Sequence, residues 1–150
     1  MRTIHRDIVA TVIYSKDDKI LLGKKDDKSV YAGCWAIPGG GIEEGETKIQ
    51  ATIRETLEET GLDISQYKLF LLDDEMTGES EKILRDTGEK VIAKMKFSTY
   101  GVKIDDRLAK DITVSSNEEF LEFMWADIAN IRNIKLTPPS TELFTKLGYL

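Results

Sequence analysis

Residues 47–61, TKIQATIRETLEETG, specify one helix more tightly than any other stretch of the chain specifies its structure. Thr47 is a favourable N-cap, and Gln50 three positions later completes a capping box. Gly61 stands where helices often end in a left-handed residue. The interior, KIQATIRETLEET, holds neither glycine nor proline. At about 100° per residue, Glu55, Glu58 and Glu59 gather on one face, because positions i, i+3 and i+4 are neighbours. Ile53 and Leu57 fall opposite, with Ile49 near them. The pattern predicts an apolar face on the core and three carboxylates on the other side. Such a cluster is either a solvated acidic face or a site for a hard cation, and the helix alone leaves both readings open. Oxygen donors at this spacing suit Mg²⁺ or Mn²⁺ better than zinc.

Around this helix the chain alternates with extended segments. Residues 4–14 (IHRDIVATVIY) are rich in β-branched side chains and read as a strand. SKDDK at 15–19 supplies turn chemistry, and KILL at 19–22 returns as a second strand. Residues 67–72, 91–102 and 122–126 read as further strands. Residues 73–90 read as a long charged hairpin or mobile loop, and residues 140–147 as a closing helix after Pro138 and Pro139, with Gly148 as its stop. Strands around a central helix with a second helix at the end predict an α/β or α+β fold, a mixed sheet flanked by helices. The length of 150 residues, at 41% hydrophobic and 32% charged, suits one compact domain spanning residues 1–150.

Composition narrows the partners. A net charge of −6 argues against a broad grip on a nucleic-acid duplex. No apolar run approaches the ~18 residues of a membrane span, so no membrane partner is expected and the cytoplasm is the expected location. Cys34 is the only cysteine and reads as a packing residue; His5, the only histidine, has no supporting partner nearby in sequence. Gly39, Gly40 and Gly41 precede the acidic helix and read as a flexible loop whose backbone can approach a ligand closely. Glycines feeding an acidic helix shift the balance toward a metal and phosphate site.

Residues 40–62, GGIEEGETKIQATIRETLEETGL, resemble the Nudix box, G-x5-E-x7-R-E-U-x-E-E-x-G-U with U aliphatic. Gly40, Glu46, Arg54, Glu55, Glu58, Glu59, Gly61 and Leu62 match in register, and Trp35-Ala36-Ile37-Pro38-Gly39-Gly40 resembles the usual lead-in. The one departure is Thr56, where the pattern has an aliphatic residue; a packing adjustment without loss of chemistry is the expectation. The resemblance implies a MutT-like Nudix hydrolase with an α/β/α sandwich over nearly the whole chain. It implies water attack at phosphorus in a nucleoside diphosphate linked to another group. It further implies that Glu55, Glu58, Glu59 and the Gly40 carbonyl hold Mg²⁺, with Mn²⁺ as a substitute. Arg54 then orients the glutamates, and Glu46 braces the loop against the helix.

A general base is needed unless an ion-activated water suffices. SSNEEFLE at 115–122 precedes Trp125 and resembles the family's acid-rich stretch. Glu119 is the favoured base, followed by Glu55 and Glu118. Lys24 (or Lys25), Trp35 and Gly39–Gly41 are the expected substrate contacts, with Trp35 or Trp125 stacking on a base. The partner expected is a small nucleotide-type molecule, a nucleoside triphosphate or nucleotide sugar foremost, and a homodimer is an arrangement the family uses. Two readings compete with a hydrolase. A nucleotide-sensing domain without catalysis has no need of all three acids, and an isomerase acting on an isoprenoid diphosphate lacks a cysteine–glutamate pair, since Cys34 stands alone.

Overall fold

A computed structural model describes residues 1–150. Two long strands form its spine. β1 (Arg2–Ser15) and β7 (Lys90–Ile104) run parallel, in continuous register from Arg2 opposite Val91 to Ser15 opposite Ile104. Every other strand pairing is antiparallel, which makes the sheet mixed. The outer edge of β1 is shared by β2 (Lys19–Lys25) near Tyr14 and by β4 (Gly39–Gly41) at Ile8–Ala10. The far edge of β7 is likewise divided between β5 (Leu69–Asp73) and β6 (Thr77–Ile83). β2 also carries β3 (Trp35–Ala36) and β8 (Phe120–Asp127).

The sheet lies between two helices, α1 (Lys48–Thr60) and α2 (Pro138–Lys146). Because side chains alternate along a strand, β1 and β2 each feed both layers. Val12, Tyr14, Ile20 and Leu22 pack with Leu143 and Phe144 of α2, while Ile13 and Leu21 pack with Val102, Ile104 and Leu62, beside Ile53 of α1. This is the α/β/α sandwich expected from the order of elements. No helix is long and apolar enough to cross a membrane.

Of the two readings of residues 73–90 the long hairpin is the one formed: residues 77–83 are not a mobile loop but a full strand, paired with β7 from Thr77 opposite Lys96 to Ile83 opposite Lys90. Two other expectations need correction. The closing helix begins at Pro138, since prolines at the first two helical positions lack only N–H groups that have no partner there. The glycine triplet is not a flexible loop either, because Gly39, Gly40 and Gly41 pair with Ala10, Val9 and Ile8. These glycines serve close approach. A Cβ on Gly39 would stand 2.5 Å from the Val9 carbonyl oxygen, and one on Gly40 would stand 2.4 Å from the Glu55 carboxyl carbon.

Candidate active site

α1 packs on only part of its expected apolar face, through Ile53. Its ends match the sequence: Thr47 accepts from the Gln50 N–H, Gln50 reaches back to Thr47, and Gly61 takes a left-handed φ of 79°. The buried residues, however, are Ala51, Thr52, Thr56, Glu59 and Thr60, while Leu57 is 48% and Ile49 39% exposed. Hydrophobicity placed the core on the wrong side because small side chains at i, i+4 and i+8 let a helix come closer to a sheet than leucines do. Each buried hydroxyl finds a partner, which removes the penalty for burying it. Thr52 and Thr60 donate back to the carbonyls of Lys48 and Thr56, and Thr56 bonds Thr11 of β1 at 2.8 Å. The residue that departs from the aliphatic pattern is thus fully buried, and a threonine on the sheet matches it.

Close approach brings the acids to the glycine strand. The Gly39 N–H donates to Glu59 at 2.7 Å, and the Glu55 carboxylate lies against Gly40. Arg54 ties the unit together. Its Nε and Nη2 clamp both oxygens of Glu46 at 2.7 and 2.9 Å, Nη2 also donates to the Gly41 carbonyl at 2.9 Å, and Nη1 donates to Glu55 at 2.8 Å and Glu58 at 3.3 Å. The Arg54 bonds, followed by the Glu43 amide, hold the Glu46 carboxyl down to about 2. Glu46 therefore stays ionised and joins the glycine–helix connection to the helix it precedes.

Glu55 and Glu59 face an open cleft of about 630 Å³, which Glu119 also lines and of whose wall Gly39–Gly41 are part. Glu59 is 6% exposed. Burial, and next the Glu119 carboxyl beside it, push its pKa well above the usual carboxylate range. Burial likewise raises Glu55 despite its bond to Arg54, with Glu58 and Glu119 adding to the effect. Acids held close together out of water favour either a proton or a cation. All-oxygen donors with this electrostatic demand fit a hard divalent ion. No three acidic, histidine or cysteine side chains already stand close enough to share one ion. Glu58 does not line the cleft; its side chain is 57% exposed and bonded to Arg54.

The remaining expected residues divide. Glu119 lines the cleft, whereas Glu118 lies in a neighbouring groove with Lys28 and Leu121. Lys24 sits in the ladder between Trp35 and Glu122 and reaches neither the cleft nor the adjoining cavity. Lys25, not Lys24, borders that cavity. Trp35 packs beside the α2-side core, and Trp125 beside the α1-side core, so neither ring faces the cavity. The cavity holds about 220 Å³ and opens between Ile8, Ala10, Tyr31, Ile37, Phe97 and Leu143. Its aromatic walls are thus Tyr31 and Phe97.

Sequence reasoning missed four polar residues. Asn117 donates to the Glu59 carbonyl and accepts from the Glu119 and Phe120 amides at 2.8 and 3.1 Å, which fastens the Glu119 segment to the end of α1. An asparagine two residues before an acid is a recognisable turn signal. Arg6, Lys82 and Arg85 also line the cleft. Their spacing along the chain gave no sign of convergence, because the pairing of β6 with β7 brings them together.

A family model described as the NUDIX domain matches residues 4–147. The nucleoside triphosphatase NudI of Enterobacter sp. strain 638 is 30% identical over 147 residues, covering 97% of this chain and 98% of that protein. Among solved structures, the dihydroneopterin triphosphate pyrophosphohydrolase of E. coli superposes with a TM-score of 0.67 at 21% identity, over 95% of this chain and 96% of that one. The MutT protein of Methanosarcina mazei Go1 superposes with a TM-score of 0.63 at 23% identity, over 99% and 96%. The two structures share the fold. The family model and the full-length relative carry the assignment further: the chain belongs to the NUDIX family of hydrolases.

Proposed function

We propose that the cleft hydrolyses a phosphoanhydride bond in a nucleoside diphosphate bearing a further group, a nucleoside triphosphate or nucleotide sugar foremost, with Mg²⁺ as cofactor and Mn²⁺ as its substitute. The observation that carries this reading is the Glu55–Glu59–Glu119 cleft, in which Glu55 and Glu59 are held largely out of water against a glycine backbone and Glu59 has no pairing cation. Glu55, Glu58, Glu59 and the Gly40 carbonyl are the groups that would hold the ion. Such an ion neutralises phosphate charge and makes an attacking water more acidic.

The chain's own residues supply orientation and a base. Arg54 fixes the Glu55 carboxylate, and Glu46 fixes Arg54. Glu119, held through Asn117 and mostly exposed, takes a proton from the attacking water. The water oxygen bonds to phosphorus, and the bridging oxygen leaves with its electron pair on the departing phosphate. Glu55 is the second candidate for the base. The nucleobase enters the apolar cavity between Tyr31 and Phe97, which adjoins the cleft through Ile8 and Gly39. The relative named as a nucleoside triphosphatase supports the choice of substrate class.

The test is a panel of nucleoside triphosphates, nucleotide sugars, ADP-ribose and dinucleoside polyphosphates with Mg²⁺, with products scored in ¹⁸O-labelled water. Label in one phosphate product is expected. The same panel on Glu119→Gln should show a fall in kcat with little change in KM, since a base acts in the transition state. Turnover of nothing in the panel would contradict hydrolysis and point to a nucleotide-sensing domain.

A further inference from the structure

Three cations line the cleft beside Ile83 and Leu84, and hydrolysis as described above gives them no role. Arg6 lies on the same face of β1 as Ile8 and Ala10, and its Nη2 stands 2.5 Å from where a Gly41 Cβ would be. Lys82 is near the end of β6, and Arg85 follows in the turn closed by Gly88, whose N–H donates to Leu84. All three line the cleft that Glu55, Glu59 and Glu119 line. None of them takes part in an ion pair with a carboxylate of this chain. The chain has 27 acidic and 21 basic side chains, so counter-charges for these three are plentiful, yet none is recruited. Burial, and next Arg6 and Arg85, push the Lys82 ammonium below its ordinary value. Like charges gathered and left unpaired suit an anion from outside.

Position on the sheet says which part of a ligand that anion is. Ala10 and Ile8 border the apolar cavity, Ile8 and Arg6 border the cleft, and along β4 Gly39 meets Glu59, Gly40 meets Glu55 and Gly41 meets Arg6. A linear substrate with its base in the cavity and its anhydride at Glu55 and Glu59 extends toward Arg6. A neutral sugar at that end would leave the cations unpaired, whereas further phosphates would meet them with charge-assisted hydrogen bonds.

We propose that Arg6, Lys82 and Arg85 bind the γ-phosphate of the substrate, the one that a sugar-capped nucleoside diphosphate lacks, and so select nucleoside triphosphates over sugar-capped nucleoside diphosphates. The assignment rests on the hydrolytic reading, deepens its substrate class and makes these three specificity-determining residues.

Lys82→Gln and Arg85→Gln test it, since both positions are on a solvent-facing hairpin. With Mg²⁺, the KM for a nucleoside triphosphate should rise roughly tenfold or more in each variant, while kcat stays within about threefold and the KM for ADP-ribose within about twofold. Binding of inorganic tripolyphosphate, measured by calorimetry with Mg²⁺, should weaken in parallel. Unchanged tripolyphosphate binding in both variants overturns the proposal, as does an equal penalty on ADP-ribose. A wild-type protein that binds tripolyphosphate through these residues yet cuts no nucleotide refutes hydrolysis and leaves the cation site standing. An active enzyme indifferent to both substitutions does the reverse.

Discussion

Substituting Gly40 by alanine separates the chemistry of the cleft from its stability. The new Cβ would lie 2.4 Å from the Glu55 carboxyl carbon and 2.5 Å from each carboxylate oxygen. Nonbonded carbon atoms settle at about 3.5–4.0 Å, so the carboxylate has to retreat by about 1 Å. It gives way more readily than the strand, because Gly40 is fixed by its pairing with Val9. The retreat also disturbs the 2.8 Å bond from Arg54 to Glu55. Overpacking of this kind costs about 1–3 kcal/mol of stability, whereas displacing a reacting or positioning group by 1 Å can cost about 10²-fold in rate. Gly40→Ala should therefore stay folded, lose a few degrees in Tm and lose about a hundredfold in kcat with Mg²⁺. Placed in a Glu55→Ala background, it should add almost nothing, because the Cβ then has no carboxylate to strike. A kcat within about twofold of wild type, or an undiminished penalty in the Glu55→Ala background, would refute this account.

Two further expectations concern stability. Thr56→Val strands the buried Thr11 hydroxyl and should cost about 1–3 kcal/mol, while the Thr11→Val/Thr56→Val double variant should recover most of the loss in chemical denaturation; equal losses in the single and double variants would contradict the pairing. At Asp73, burial alone would raise the carboxyl, but the Lys146 ion pair at 2.6 Å and the amides of Met76 and Glu75 outweigh it and hold the pKa below its usual value. A folded-state value below the unfolded one gives stability that is present above the unfolded pKa, about 3.9, and is lost as pH falls through the folded value. Asp73→Asn should accordingly lower Tm at pH 7 and differ less from wild type at pH 3; a gap that is constant with pH would count against the pair.

The fold was readable wherever sequence pattern and packing obey the same rule. β1, with its β-branched run, and α1, with its caps, came out close to their observed limits. The reading failed where a side chain's role depends on a distant partner. Leu57 looked like a core residue and Thr56 like a position in need of a packing adjustment. Only the proximity of Thr11, 45 positions away, makes a buried threonine favourable there. The glycines looked flexible because no local signal says that one faces the Val9 carbonyl and another faces Glu55. Glu55 and Glu59, which line the cleft, and Arg54, which bonds Glu55, were legible from spacing along one helix. Arg6, Lys82 and Arg85 were not, since β1 and the β6–β7 hairpin meet only through long-range pairing with β7. Trp35 and Lys24 are residue types suited to a nucleotide, and their strands place them outside the cavity and the cleft.

The claim on which everything else depends is that the cleft acids bind a divalent cation. The most direct measurement is Mn²⁺ binding followed by electron paramagnetic resonance, with and without a nucleotide, on wild type, Glu59→Gln and Glu55→Gln. Bound Mn²⁺ in the wild type, displaced by Mg²⁺ and weakened about tenfold or more in each folded variant, is the predicted result. Equal Mn²⁺ binding in all three proteins would contradict it.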